Sequence, residues 1–390
     1  MNFSSRTDWH RQPNRLTELL EVCRASGRMI FDLTNSNPTD CGILYPEKEI
    51  LSSLSDAQIF RYQPDPRGLL PAREAIAAYY HRKNLPVDPS NIFLTSSTSE
   101  AYSIVLKLLC NENESVLVPQ PSYPLFEYLA RVNDVNLRYY RLNHDQEWHI
   151  DIESVKQAIT GETKAIVLVN PHNPTGMYLT SDQFLQIVAV AGERNLALIV
   201  DEVFIDYAFD DDARRIGSTA GASDVLLFTL NGISKMSGLP QMKLGWMIVS
   251  GKPPAVSEAM ERLEILCDTF LSVNTPVQAA LPELMKLGSA VQNGILDRVK
   301  SNYEFLQQAF PRNAPCSTLG VEGGWYGIIR VPRTRSDEEW ALDLLEQRGV
   351  YLFPGYFFDF ERDGYLVVSL LVRPEIFEAA THEIISLLAG

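Results

Sequence analysis

The sequence has little of what would place it outside the soluble enzymes. It has only five cysteines, Cys23, Cys41, Cys110, Cys267 and Cys316. They are odd in number and widely scattered, with neither metal-ligand spacing nor a disulfide framework. They therefore predict buried apolar thiols in a reducing, cytoplasmic setting. No stretch is long and apolar enough to span a bilayer. The opening MNFSSRTDWHRQPNRLTELL lacks an apolar core of signal-peptide length. Basic charge is also in short supply: 34 Lys and Arg stand against 49 Asp and Glu, giving a net charge of −15. No basic run interrupts that excess, and like charges repel, which argues against nucleic acid or an anionic membrane as a partner. Internal repeats and low-complexity linkers are absent. What remains is a 390-residue chain, 45% hydrophobic and 21% charged. That is ordinary globular composition at a length suited to two or three domains.

From about residue 70 to 260, helical and strand patterns alternate. PAREAIAAYYHRKN (71–84) and SEAYSIVLKLLC (99–110) are apolar at helical spacing. NIFLTSS (91–97), SVLVPQPSY (115–123), KAIVLVNPHNPTG (164–176), LALIVDEVF (196–204) and DVLLFTL (224–230) begin as continuous apolar strands, most of them ending in polar residues. This pattern predicts a mostly parallel sheet covered by helices on both faces, with a ligand at the carboxyl ends of its strands. After about residue 260 come a long helical stretch, SEAMERLEILCDTFL (257–271), the strand-like WYGIIRVP (325–332) and YLVVSLLV (365–372), and a last helix. The expected fold is α/β, with a large domain over 49–262 and a smaller α+β domain from 1–48 and 263–390.

Chemistry gathers at those strand ends. Lys235, in GISKMSGLP, is an amine able to condense with a carbonyl. Asp201 closes the strand LALIV, where a carboxylate could keep a cofactor's pyridine nitrogen protonated. Asn173 offers an amide donor, and Tyr123 offers an aromatic face for stacking. Ser97, Thr98 and Ser99 lie where a strand turns into a helix, so their N–H groups and hydroxyls form an anion site. Taken singly, each has a plain structural explanation as a cap, a turn or a surface group. Their order and their common position at strand ends do not.

The chain resembles the fold type I pyridoxal-phosphate (PLP) enzymes of the class I/II aminotransferase family. It carries SNPT (36–39), YQPDPRGLLPARE (62–74), TSSTSEA (95–101), PSYP (121–124), NPHNPTG (170–176), DEVF (201–204), SK (234–235) followed by GLP, GGWY (323–326) and PG (354–355), in family order. The resemblance implies an aminotransferase that moves an amino group from an amino acid to a 2-oxo acid. In it Lys235 forms the Schiff base with PLP and shuttles a proton, and Asp201 pairs with the pyridinium. Asn173 bonds the ring hydroxyl and Tyr123 stacks on the ring. Ser97, Thr98, Ser234 and Lys243 hold the phosphate, with Ser99 beside them. Tyr62 reaches the phosphate of a second copy, which implies a homodimer with shared sites. A decarboxylase, β-lyase or amino-acid synthase on the same fold is the enzyme alternative, because PLP stabilises any Cα carbanion. A non-catalytic PLP-binding regulator is the alternative outside enzymes.

Four positions depart from the family pattern. Phe204 replaces a tyrosine, Lys243 an arginine and Gly232 a serine. Val367 stands where the family has the arginine that clamps the substrate carboxylate. Asn37, Arg362 and Arg67 are the candidate substrate contacts that remain. The GYFFDF segment (355–360) brings four more aromatic rings toward the expected substrate side.

Overall fold

The computed structural model describes residues 1–9, 12–55, 57–221, 223–310 and 314–389. The apolar runs become strands β1 (Ile92–Thr95), β2 (Ser115–Gln120), β3 (Asn136–His144), β4 (Trp148–Ile150), β5 (Thr163–Val169), β6 (Ala197–Asp201), β7 (Leu227–Gly232) and β8 (Gly245–Ser250). They form one eight-stranded sheet in the order β1-β8-β7-β6-β5-β2-β3-β4. From β7 to β3 all neighbours run parallel. Antiparallel pairing is confined to β1–β8, β8–β7 and β3–β4.

The central strands are buried on both faces because alternate side chains feed two different cores. Val116, Val118, Val167, Ile199 and Phe228 pack with Ala101, Val105 and Leu263 from helices Thr98–Leu109 and Pro253–Phe270. Leu117, Ile166, Leu168, Leu198 and Val200 pack with Ile187 and Val190 of helix Ser181–Arg194. This explains why these strands read as unbroken apolar runs rather than as alternating ones.

The smaller sheet orders β9 (Ser317–Thr318), β10 (Tyr326–Arg330), β12 (Tyr365–Ser369) and β11 (Phe353–Pro354), all antiparallel. Leu16, Leu20 and Cys23 of helix Arg15–Ala25 join its core, so the N-terminal segment folds back onto it. Phe31–Asp32 pairs parallel with Val350–Tyr351.

The expected boundary at residue 262 needs correction. It falls inside helix Pro253–Phe270, whose Ala259, Met260, Leu263 and Cys267 belong to the large-sheet core. The next helix, Thr275–Ala309, is 35 residues long. Its Val277, Leu281 and Leu284 pack against the large domain, and its Val291, Ile295, Val299 and Leu306 against the small one. The chain thus passes between cores near Gly288, where a Cβ would lie 2.4 Å from the side chain of Ser237. A single helix serving two cores carries one continuous apolar stripe, so its periodicity hides the change of partner.

All five cysteines are free thiols, four of them buried. Among the described residues no helix is long and apolar enough to cross a membrane, and no group of side chains has a metal-ligand arrangement.

Candidate active site

The parallel strands deliver the chemistry to one edge of the sheet. Asp201 ends β6, Asn173 follows β5, Tyr123 follows β2, and Lys235 sits in the short helical turn Ile233–Met236 directly after β7. The Asp201 turn is held from behind. The buried Glu202 accepts bonds from the Thr219 N–H (2.6 Å) and hydroxyl (2.8 Å) and from the Ser218 hydroxyl (2.5 Å). One Asp201 oxygen, Oδ1, accepts the Val203 N–H at 3.0 Å. No bond among the described residues engages Oδ2, which leaves an acceptor for an incoming ring N–H. Burial raises the Asp201 carboxyl to about 6, against the bond from Val203, the nearby Tyr102 hydroxyl and the charge of Lys235. A pyridinium partner would reverse that penalty.

Burial also lowers the Lys235 ammonium to about 8, with the Asp201 charge opposing the shift. A lysine near neutrality has a substantial fraction of free amine, which a carbonyl electrophile requires. Its Nζ lies 4.6 Å from the Trp325 ring centroid and 5.6 Å from that of Phe204. Those aromatic faces desolvate it, and the Tyr207 hydroxyl donates to its main-chain carbonyl at 2.5 Å. Tyr207 is therefore engaged and does not stand in for the hydroxyl missing at Phe204.

Asn173 is buried, and its Oδ1 has no partner among the described residues. An orphaned amide in a buried position is the signature of a group awaiting a ligand. Tyr123 leaves 41% of its surface exposed. Its hydroxyl is nevertheless pushed above the ordinary value by burial and then by the Asp201 charge.

The anion site takes shape at the start of helix Thr98–Leu109. Ser97 caps it by accepting the Glu100 N–H at 3.1 Å. The N–H groups of Thr98 and Ser99 have no protein partner among the described residues. Gly245 presses against this turn: a Cβ there would lie 3.1 Å from the Ser97 carbonyl carbon and 3.2 Å from the Thr98 nitrogen. Gly232 backs onto Gly245 in turn, with 3.0 Å from its virtual Cβ to the Gly245 Cα. Glycine at 232 thus sits in a close approach of β7 and β8, where a serine Cβ would need the Gly245 strand to give by a few tenths of an ångström. Ser234 is half-buried beside Lys235, and Lys243 is exposed with a left-handed backbone, φ 53°.

Two of the three substrate candidates are committed or placed elsewhere. Arg67 donates to Glu264 at 2.8 Å and to the Ser90 carbonyl at 2.7 Å, so its guanidinium is already committed and its expected role as carboxylate clamp is withdrawn. Arg362 lines a cavity whose walls include neither Lys235 nor Asp201, and it too is withdrawn. Asn37 is exposed and closes its own turn by accepting from the Thr39 N–H (3.1 Å) and hydroxyl (2.8 Å). Val367 is fully buried on β12, opposite Ile328 and Phe353. The apolar wall continues through Phe358, whose ring lies 5.8 Å from that of Tyr326. Within it the Ser36 hydroxyl donates to the Tyr326 hydroxyl at 2.9 Å. Tyr62 is 79% exposed.

Three contributors were not singled out by sequence reasoning. Tyr102 is buried with its hydroxyl beside Asp201. Trp325 walls in Lys235, and Tyr326 meets Ser36. The GGWY and SEAY motifs marked their neighbourhoods, but an apolar helix face and a strand start look like ordinary core.

The chain matches the aminotransferase class I and II family over residues 29–381 and belongs to it. It is 29% identical over 381 residues to the glutamate-pyruvate aminotransferase AlaA of Haemophilus influenzae, covering 95% of this chain and 92% of that one. To human tyrosine aminotransferase it is 25% identical over 372 residues, 93% of this chain and 81% of the other. An alanine aminotransferase from Pyrococcus furiosus shares the fold at a TM-score of 0.89 and 24% identity, each chain covered completely. The protein is a PLP-dependent amino-acid aminotransferase of fold type I, acting on amino acids and 2-oxo acids.

Proposed function

We propose that transamination here is carried by Lys235 and Asp201, with Asn173 and Tyr123 orienting the ring and the Ser97–Ser99 turn, Ser234 and Lys243 holding the phosphate. The observation that carries this reading is the pair of opposite shifts: one carboxyl raised to about 6 and one amine lowered to about 8, desolvated at adjacent strand ends. When bound, PLP supplies the electron sink for a Cα carbanion. Asp201 Oδ2 would accept the pyridine N–H and keep that proton in place. Lys235 would hold the cofactor, and its amine would serve as the base toward the substrate Cα proton. Trp325, Phe204 and the small-domain wall exclude water from its amine.

The substrate's α-carboxylate meets no arginine at Val367, so its recognition falls to polar groups such as Asn173 and the Ser36–Tyr326 hydroxyl pair. We also propose a homodimer in the cytoplasm. Its support is a surface on which Phe60, Tyr62, Phe270 and Leu271 are exposed together with the YQPDPRG stretch. Tyr62 then reaches the partner's phosphate. Sedimentation at assay concentration tests the assembly; a fully active monomer would refute it. The decisive experiment for the chemistry is a panel of amino acids incubated with the holoenzyme. Pyridoxamine phosphate should form, and release of CO₂ or ammonia without it would overturn the reading.

A further inference from the structure

A cavity of about 440 Å³ lies where the β3–β4 edge of the large sheet meets the small domain. Arg141, His144 and Trp148 line one wall, and Arg330, Arg333 and Arg362 the other. Glu361 is the one carboxylate among its described lining residues. Arg141 is paired with Asp151 at 2.9 Å. Arg330, Arg333 and Arg362 have no ion pair or side-chain hydrogen bond among the described residues. The His144 Nε2 and Trp148 Nε1 atoms are buried without a partner. Burial, and more weakly the Arg330 charge, lowers the proton affinity of His144, which keeps it a neutral ring able to donate.

In a chain of net charge −15, gathering four guanidinium groups around one opening runs against both the overall composition and mutual repulsion. Planar forked donors suit phosphate and carboxylate oxygens. We propose that this cavity binds a compact multivalent anion, a phosphate ester or a polycarboxylate, held by Arg330, Arg333 and Arg362 from the small domain and Arg141 from the large one. Such an occupant ties the two domains together. It also acts on the reaction centre, because Pro121 lines the cavity and the Ser122 N–H donates to the Phe358 carbonyl at 2.7 Å. Holding the turn that carries Phe360 and Arg362 therefore holds the loop that presents Tyr123.

The test is calorimetric titration of the PLP-loaded protein with inorganic pyrophosphate and, separately, citrate, at fixed ionic strength. At least one should bind once per chain, and the tighter of the two assigns the ligand chemistry. Arg330→Gln and Arg333→Gln, on an exposed strand end and the following loop, should each weaken binding about tenfold or more while the cofactor's absorption spectrum is unchanged. If one variant fails to fold, the other carries the test. No binding of either anion tighter than about 1 mM would overturn the proposal. So would undiminished binding in both variants, which would put the anion at the cofactor-phosphate turn or on the surface. Turnover plays no part in the readout, so failure here is separable from failure of the aminotransferase assignments.

Discussion

The strand-end groups of the large domain and the Val367 face of the small domain are built on opposite principles. The large-domain wall concentrates polar groups at strand ends and leaves them partly unsatisfied: Asp201 Oδ2, the Asn173 amide, and the N–H groups of Thr98 and Ser99. The small-domain face with Val367, Ile328 and Phe353 is apolar and closed, and beside it the Tyr326 hydroxyl accepts from Ser36 and keeps its own proton to donate. Unsatisfied buried polar groups cost stability unless a ligand completes them, whereas a packed apolar face is complete by itself. The contrast teaches that the strand-end groups stay open to a ligand, while the face around Val367 is completed by its own packing.

Breaking the polar wall should have the largest effects. Lys235→Ala should abolish transamination and the visible colour that borohydride fixes to the protein; reduced PLP found on another lysine would move the anchor. Asp201→Asn should retain PLP yet cut turnover by about 10²–10⁴-fold, since an amide does not hold the pyridine proton. Near-normal turnover would mean another group does so.

The same substitution tests the energetic side of the comparison in the apoprotein. Asp201 has its carboxyl raised by burial more than Lys235 lowers it, so its ionisation penalises the fold. That penalty is fully present above about pH 6, fades as pH falls, and is gone below the ordinary carboxylate value of 3.8. Apo Asp201→Asn should therefore melt higher than apo wild type at pH 7, by roughly 2–4 °C or more, and the gap should close near pH 4. A gap that persists there would exclude ionisation as its cause.

On the apolar wall, Val367→Arg should lower the melting temperature by several degrees, because an unpaired guanidinium would lie among Ile328, Phe353 and Phe358. An unchanged melt would reveal a hidden partner and blunt the contrast. Phe204→Tyr should have the smallest effect. If Asn173 is the donor to the ring oxygen, as proposed, the new hydroxyl adds a second, and the spectral pKa of the lysine-bound cofactor should fall by about 1 unit. No fall would show that a third donor already acts there.

Sequence alone specified the parallel core, because strands buried on both faces must be apolar throughout. It also specified the strand-end residues, because Lys235, Asp201, Asn173 and Tyr123 follow those runs directly along the chain. Both are local patterns, legible wherever the chain is read. Strand β8, which pairs antiparallel beside β7, and the passage of helix Thr275–Ala309 between two cores left no local mark. Neither did the commitment of Arg67 to Glu264, the engagement of Tyr207 by the Lys235 carbonyl, or the gathering of Arg141, Arg330, Arg333 and Arg362 around one cavity. Glu264 lies 197 positions from Arg67, and the four arginines come from two domains. Whether a charged side chain is paired, free or aimed at a ligand depends on neighbours that only packing brings together, and that decision belongs to the tertiary structure.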